Sequence, residues 1–151
     1  VNNDNSTHKE EYEEVLNKED QLTINNNLTY ERDLQNSLIW QVESLFSDYK
    51  IFGTNQDGIE YSIGGKRIDL LLENKIENTL LAIELKSGTA DFRVFGQISM
   101  YIGLLERQFP DKKVCGLIIA GDIDESLKNA CLITDKVILK KYQMQLTLED
   151  A

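Results

Sequence analysis

Two acidic residues and one lysine lie inside segments that are otherwise apolar. The stretch RIDLLLENKIENTLLAIELKSG, residues 67–88, carries Asp69 in its first apolar run and Glu84 and Lys86 in its second. Ionised side chains are costly to bury without a partner, so they either face water or serve a function. The chemistry open to two neighbouring carboxylates is the binding of a hard divalent cation, Mg²⁺ or Mn²⁺.

The two apolar runs predict antiparallel strands joined by the polar loop NKIEN. A symmetric register about this loop places residues whose numbers sum to 153 opposite each other, so Asp69 faces Glu84. Lys86 joins them because side chains at i and i+2 share one face of a strand. Like charges across a strand pair repel unless a cation lies between them. The opposite face is expected to carry Ile68, Leu70, Leu72, Ile83 and Leu85.

The ordinary alternative is a solvent-facing ladder in which Lys86 neutralises one of the acids. Glu31 bears on this choice because it lies on the apolar stripe of a predicted helix, three residues before Leu34 and seven before Leu38. A carboxylate on such a stripe indicates a function or a partner. Glu31 would also suit an exposed first helical turn, where it favours the helix dipole, and both interpretations stay open.

A second predicted helix follows the cluster and carries a polar stripe. Gln97 and Tyr101 are spaced i, i+4, with Arg93 one turn earlier, beside an apolar stripe on the same helix. The helix is expected to start directly after Lys86 and therefore to pack near the charged residues. Such a stripe is also typical of a helix face that simply contacts water.

Further elements must hold these residues in place. Their order, αβββαβαβ, predicts an α/β fold in which a central mixed sheet is covered by helices on both faces. The predicted elements are a helix over residues 29–46, short strands at 49–53 and 59–63, strands at 67–73 and 80–86, a helix at 89–109, a strand at 113–121, a short helix at 124–133 and a strand at 136–142.

Composition limits the class of protein. A chain of 151 residues with 41% hydrophobic and 28% charged residues suits one soluble domain. No run approaches the roughly 18 apolar residues that cross a bilayer, so we expect a cytoplasmic protein without a membrane partner. Cys115 and Cys131 are expected to be free core thiols. His8 is the only histidine, which excludes a histidine-based triad and a zinc site.

The charge of −10 is unevenly distributed. Residues 1–25 hold seven acids against two lysines, a balance of −5, and are predicted to form a disordered tail or a loosely attached helix. The ordered domain is expected over residues 28–148. Its remaining acidity argues against a protein that depends on non-specific attraction to nucleic acid.

Taken together, these motifs resemble a known nuclease core. Glu31, RID with Asp69, ELK with Glu84 and Lys86, and then GQISMY are similar to the PD-(D/E)XK nucleases of the restriction-endonuclease-like fold, a three-layer α/β architecture. Over residues 29–120 the chain is most similar to the C-terminal nuclease domain of the mismatch endonuclease NucS. Ile68 replaces the proline of the family motif. The N-terminal dimerisation domain of NucS has no counterpart in this sequence, which leaves the substrate open.

The resemblance implies a Mg²⁺- or Mn²⁺-dependent endonuclease that hydrolyses phosphodiester bonds in DNA and leaves a 5′-phosphate. Asp69, Glu84 and the backbone carbonyl of Leu85 would bind the metal, and Lys86 would position or deprotonate the attacking water. Glu31 would reach a second metal or its waters. Gln97 and Tyr101 would orient Lys86 or contact the phosphate backbone.

DNA contacts are expected from local basic residues because the net charge is negative. Lys66, Arg67 and Arg93 are the main candidates, whereas Lys112 and Lys113 follow Pro110 at a strand start and are more simply explained as solvated lysines. Cutting both strands of a duplex with one active site usually needs two chains, which makes a homodimer a candidate, while the sequence leaves the oligomeric state open. The alternative function is a catalytically inactive binding or interaction module with the same fold.

Overall fold

The computed structural model describes residues 30–151, so the acidic tail predicted for residues 1–25 lies outside the described residues. A six-stranded sheet carries helices on both faces. In chain order the elements are α1 (30–40), α2 (Val42–Leu45), β1 (Tyr49–Ile51), β2 (Ile59–Ile63), β3 (Lys66–Asn74), β4 (Thr79–Ala90), α3 (Phe92–Gln108), β5 (Lys113–Ile123), α4 (Glu125–Cys131) and β6 (Val137–Lys141).

The sheet is mixed, as predicted. β3 pairs antiparallel with β1, β2 and β4, whereas β4, β5 and β6 run parallel in the order β4-β5-β6. This confirms the predicted fold class. Four strands precede α3, as in the list of predicted segments, whereas the order αβββαβαβ counts only three of them. The prediction that a helix starts directly after Lys86 was wrong, because β4 continues to Ala90 and α3 begins at Phe92.

The predicted register between β3 and β4 is confirmed. Every recorded pair, from Leu70↔Ile83 to Glu73↔Leu80, has numbers that sum to 153. The ladder ends at Leu70↔Ile83, one position before Asp69 and Glu84. The two acids therefore lie where the strands stop pairing.

Two apolar clusters fill the space between the sheet and the helices. One packs α3 and α4 on the sheet through residues such as Ile98, Leu105 and Leu127. The other packs α1 and α2 on the opposite face through Leu34, Leu38 and Val42. None of the helices within residues 30–151 is long and apolar enough to cross a membrane. Both cysteines are free thiols, as predicted, although each is only partly buried.

Local signals explain where α3 begins and ends. Its N-cap is Asp91, whose carboxylate accepts a hydrogen bond from the Arg93 backbone N–H. Buried side chains recur along one stripe of the helix, and Pro110 follows shortly after its end. The predicted first helix is instead interrupted at Gln41, which separates α1 from α2.

The prediction that Ile68 shares a face with Leu70 was wrong. Ile59 and its partner Leu70 pack with the α1 cluster, whereas Tyr61 and its partner Ile68 pack with the α3 cluster. Both strands therefore change face at one position, which Glu60 and Asp69 occupy. Glu60 has a left-handed backbone with φ of 51°, a conformation that costs a residue with a Cβ roughly 1–2 kcal/mol. This kink in β2 and β3 is the physical reason for the error.

Candidate functional site

Asp69 is held in place by two neighbouring elements. Its Oδ2 accepts a hydrogen bond of 2.8 Å from the backbone N–H of Leu85 on β4. Its backbone carbonyl accepts one of 2.8 Å from the side-chain amide of Gln35 on α1. The kink opposite Glu60 and these two bonds direct the Asp69 carboxylate towards β4.

Glu84 is the one buried charged residue of the chain between residues 30 and 151, with a side chain only 4% exposed. Its Oε1 lies 3.7 Å from Nζ of Lys86. Its Oε2 is buried and has no hydrogen-bond partner among the described residues. An ionised oxygen in this situation is costly, since burial removes water and nothing replaces it.

The surroundings disfavour the ionised form of both acids. Burial, and then the neighbouring Asp69, raise the pKa of Glu84 to about 8, against which Lys86 acts only in part. Burial likewise raises the pKa of Asp69, although the Leu85 N–H and Lys86 oppose this. A buried acid and a partly buried neighbour, both with raised pKa values, indicate a site in which Lys86 alone does not supply enough positive charge for both acids.

Glu31 turns from α1 towards the end of β4. Its Oε1 accepts a hydrogen bond of 3.4 Å from the backbone N–H of Ser87, and its side chain is partly buried. Its negative charge raises the pKa of both Asp69 and Glu84. Of the two interpretations left open by the sequence, the structure therefore favours the one in which Glu31 belongs to the acidic cluster.

Gln97 and Tyr101 contact each other and β3. The Tyr101 side chain is buried, and its hydroxyl donates a hydrogen bond of 2.7 Å to the Arg67 carbonyl. The Gln97 amide donates to the same hydroxyl at 3.1 Å. Burial raises the pKa of Tyr101, and the nearby Glu84 and Asp69 add to the rise. The tyrosine thus ties α3 to the strand that carries Asp69, and its hydroxyl does not face an open site.

The basic residues proposed for DNA contacts differ in their ion pairs with neighbouring acids. Lys66 and Arg67 are exposed at the start of β3, after the left-handed turn at Gly64 and Gly65. Arg67 lies 3.7 Å from Glu60. Arg93 instead binds Asp91 with contacts of 2.6–3.1 Å, and this pairing lowers the pKa of that carboxyl to about 2.

Lys112 and Lys113 lie at the other end of the sheet. Lys113 pairs with Thr79 at the start of β4, about 17 Å along the strand from Glu84. Lys112 donates a hydrogen bond to Asn78. The simpler explanation given from the sequence, that these lysines are solvated, agrees with this distance.

Sequence reasoning missed two residues that shape the site. Gln35 lies four residues after Glu31, so the i, i+4 spacing on α1 was a signal that was present. Glu60 carried no such signal, because its effect comes from a backbone conformation that glutamate rarely adopts.

The carboxylates of Glu84 and Asp69 are the groups best suited to bind a divalent cation. Within residues 30–151 no three His, Cys, Asp or Glu side chains form a complete metal-binding group. The buried Oε2 of Glu84, which lacks a partner, and the neighbouring Asp69 carboxylate nevertheless offer hard oxygen ligands. Cations such as Mg²⁺ bind through one or two carboxylates and complete their shell with waters or substrate oxygens.

The chain is similar to known nucleases in both sequence and structure. A family model described as the YhcG PDDEXK nuclease domain matches residues 14–151. No curated protein matches the sequence significantly. A complex of EndoMS with dsDNA has a TM-score of 0.62 at 20% identity, over 78% of this chain and 46% of that one.

Two further structures have the same architecture. A repair endonuclease from Pyrococcus abyssi has a TM-score of 0.61 at 20% identity, over 75% of this chain and 46% of that one. EndoMS in apo form has a TM-score of 0.55 at 17% identity, over 76% and 45%. The chain spans less than half the length of each of these proteins, and at this identity the likeness establishes the fold.

Proposed function

Since the chain belongs to the YhcG PDDEXK nuclease domain family, we propose that it is a metal-dependent endonuclease that hydrolyses phosphodiester bonds in DNA. The observation that carries the proposal is the buried Oε2 of Glu84, which has no hydrogen-bond partner among residues 30–151 and lies beside a second acid. Most buried polar side-chain atoms have a hydrogen-bond partner, so an oxygen without one calls for an explanation such as an ion that binds there. This arrangement leaves one oxygen available for a cation.

Asp69, Glu84 and the Leu85 carbonyl would hold the metal, Mg²⁺ or Mn²⁺. When bound, the cation would polarise the scissile phosphate and lower the pKa of a bound water. Because Glu84 has a pKa of about 8 in the protein alone, it would release its proton as the metal binds.

Lys86 is suited to act on the attacking water. Its ammonium lies 3.7 Å from Glu84 and its side chain is 32% exposed, so it reaches both the acids and solvent. As the ammonium it would position the water and offset negative charge that develops on the phosphoryl oxygens, whereas to accept the water's proton it would first have to be the neutral amine. Glu31 would orient waters of this site or of a second metal, from its place on α1.

Gln97 and Tyr101 would act through the strands. Their hydrogen bonds end on the Arg67 carbonyl, two residues before Asp69, so they would fix the position of that acid. Lys66 and Arg67 would contact the DNA backbone from the exposed start of β3. Arg93 would do so only by exchanging its contact with Asp91 for a phosphate.

The test is cleavage of duplex, mismatched, branched and single-stranded DNA with Mg²⁺ or Mn²⁺. We expect Lys86→Ala to lose at least about 10²-fold in cleavage rate while it keeps metal binding, since the lysine is not a ligand. Lys128→Ala is the matched control, because Lys128 is an exposed lysine on α4 that pairs with Glu125. If the wild type cuts none of these substrates, or Lys86→Ala cuts as fast, the inactive binding module takes the place of this proposal.

A further inference from the structure

The β4–β5 ladder is interrupted directly after Lys86. In the pairs from Thr79↔Lys113 to Lys86↔Ala120, the two residue numbers differ by a constant amount. From Thr89↔Asp122 onward this difference is smaller by one. Ser87 and Gly88 thus form a bulge opposite a single residue, Gly121. Bulges of this kind are common next to active sites, where they redirect a side chain or end the pairing.

Gly121 shows that the bulge is closely packed. A Cβ added there would lie 2.6 Å from the Ser87 carbonyl oxygen and 3.3 Å from that of Gly88. Any larger residue would push the bulged backbone away from β5. The absence of a side chain at this position therefore permits the close approach of the two strands.

Two side chains from outside β4 hold the Ser87 backbone. On one side, its N–H donates to Glu31, as described above. On the other, its carbonyl accepts a hydrogen bond of 2.7 Å from the hydroxyl of Tyr142. Tyr142 follows β6 directly and is itself anchored, since its backbone N–H donates to the Ala120 carbonyl at 3.0 Å and its ring packs on the α1 cluster.

From these contacts we propose that Tyr142 is a positioning residue of the active site. Its hydroxyl fixes the Ser87 backbone, which in turn sets the Glu31 carboxylate and the direction of the adjoining Lys86. The inference rests on the proposed function, because it assigns Tyr142 a role in the metal-dependent reaction. Tyr142 follows β6, which lies at one edge of the sheet and is the strand farthest in sequence from Asp69.

Tyr142→Phe tests this directly because it removes only the hydroxyl. We expect a loss of about 10-fold or more in Mn²⁺ affinity by calorimetry or in the single-turnover cleavage rate, as is typical when a residue that supports metal-site groups is lost. The loss of this donor to the Ser87 carbonyl should lower the melting temperature by a few degrees, so metal affinity and cleavage are measured well below the melting transition. Tyr61→Phe is the matched control, since its hydroxyl accepts a bond of 2.8 Å from Gln108 at an exposed position.

A double-mutant cycle with Glu31→Gln identifies the route of the effect. If Tyr142 acts through Ser87 and Glu31, its loss costs less in the Glu31→Gln background than in the wild type. Additive effects, or a Tyr142→Phe protein that binds metal and cleaves like the Tyr61→Phe control, would overturn the inference. A wild type that binds no Mn²⁺ would instead refute the proposed function, so the two failures are distinguishable.

Discussion

Glu84→Gln should change how the stability of the metal-free protein depends on pH. The folded protein raises the pKa of Glu84 from 4.5 to about 8. Between these values the folded state binds a proton that the unfolded chain has already released. The free energy of unfolding of the wild type should therefore fall as pH rises from about 5 to 8.

The size of this fall follows from the same two values. One pH unit corresponds to about 1.4 kcal/mol for one proton, so the interval from 4.5 to about 8 sets an upper limit of about 5 kcal/mol. Because Asp69 titrates together with Glu84, the two acids share this pH dependence, and we expect the fall to stay below the limit. The glutamine variant keeps the shape of the side chain without the charge and should lack this part of the pH dependence.

Urea unfolding in EDTA at pH 5, 6, 7 and 8 measures the effect. The informative quantity is the slope of the free energy of unfolding against pH. The buried amide of Glu84→Gln lowers stability by an amount that does not depend on pH, so it leaves this slope unchanged. Glu125→Gln is the control, because Glu125 is an exposed glutamate on α4. If the wild type and Glu84→Gln lose stability in parallel from pH 5 to 8, Glu84 is not held protonated by its surroundings.

Three further results are expected. Asp69→Ala should abolish the rise in melting temperature that Mg²⁺ or Mn²⁺ gives the wild type, as measured by differential scanning fluorimetry, because only the folded site binds the ion. Tyr101→Phe should cost about 1–2 kcal/mol in urea unfolding by leaving the Arg67 carbonyl without its donor, whereas Tyr61→Phe should cost less. Glu60→Gly should be tolerated to within about 0.5 kcal/mol, whereas Glu60→Val should lose about 1–2 kcal/mol, because only glycine adopts a positive φ without strain.

Much of the fold could be predicted because its signals are local. The symmetric loop between β3 and β4 sets the register, which holds as far as Leu70↔Ile83, one position before Asp69 and Glu84. The helical period of α3 located its buried stripe, apart from the exact start at Phe92. These features depend on residues close together in the chain.

The errors come from features that a simple period does not encode. Ile68 lies on the unexpected face because the backbone of Glu60 is left-handed, against the preference of that residue. Tyr142 reaches Ser87 across 55 positions of sequence, and no local pattern predicts such a contact. The environment of the buried Glu84 likewise includes Glu31 on α1 and Tyr101 on α3, which are distant from it in the sequence.

The two ladders of β4 differ in how early the chain can form them. β3 and β4 are joined by residues 75–78, whereas β5 pairs with β4 only after the whole of α3. Short loops close at a smaller entropic cost, so we expect the β3–β4 hairpin to form first. Asp69 and Glu84 would then meet while water still reaches them, and the cost of ionising both acids would become large only when the helices exclude that water. A cost that develops after the transition state accelerates unfolding and leaves the folding rate nearly unchanged.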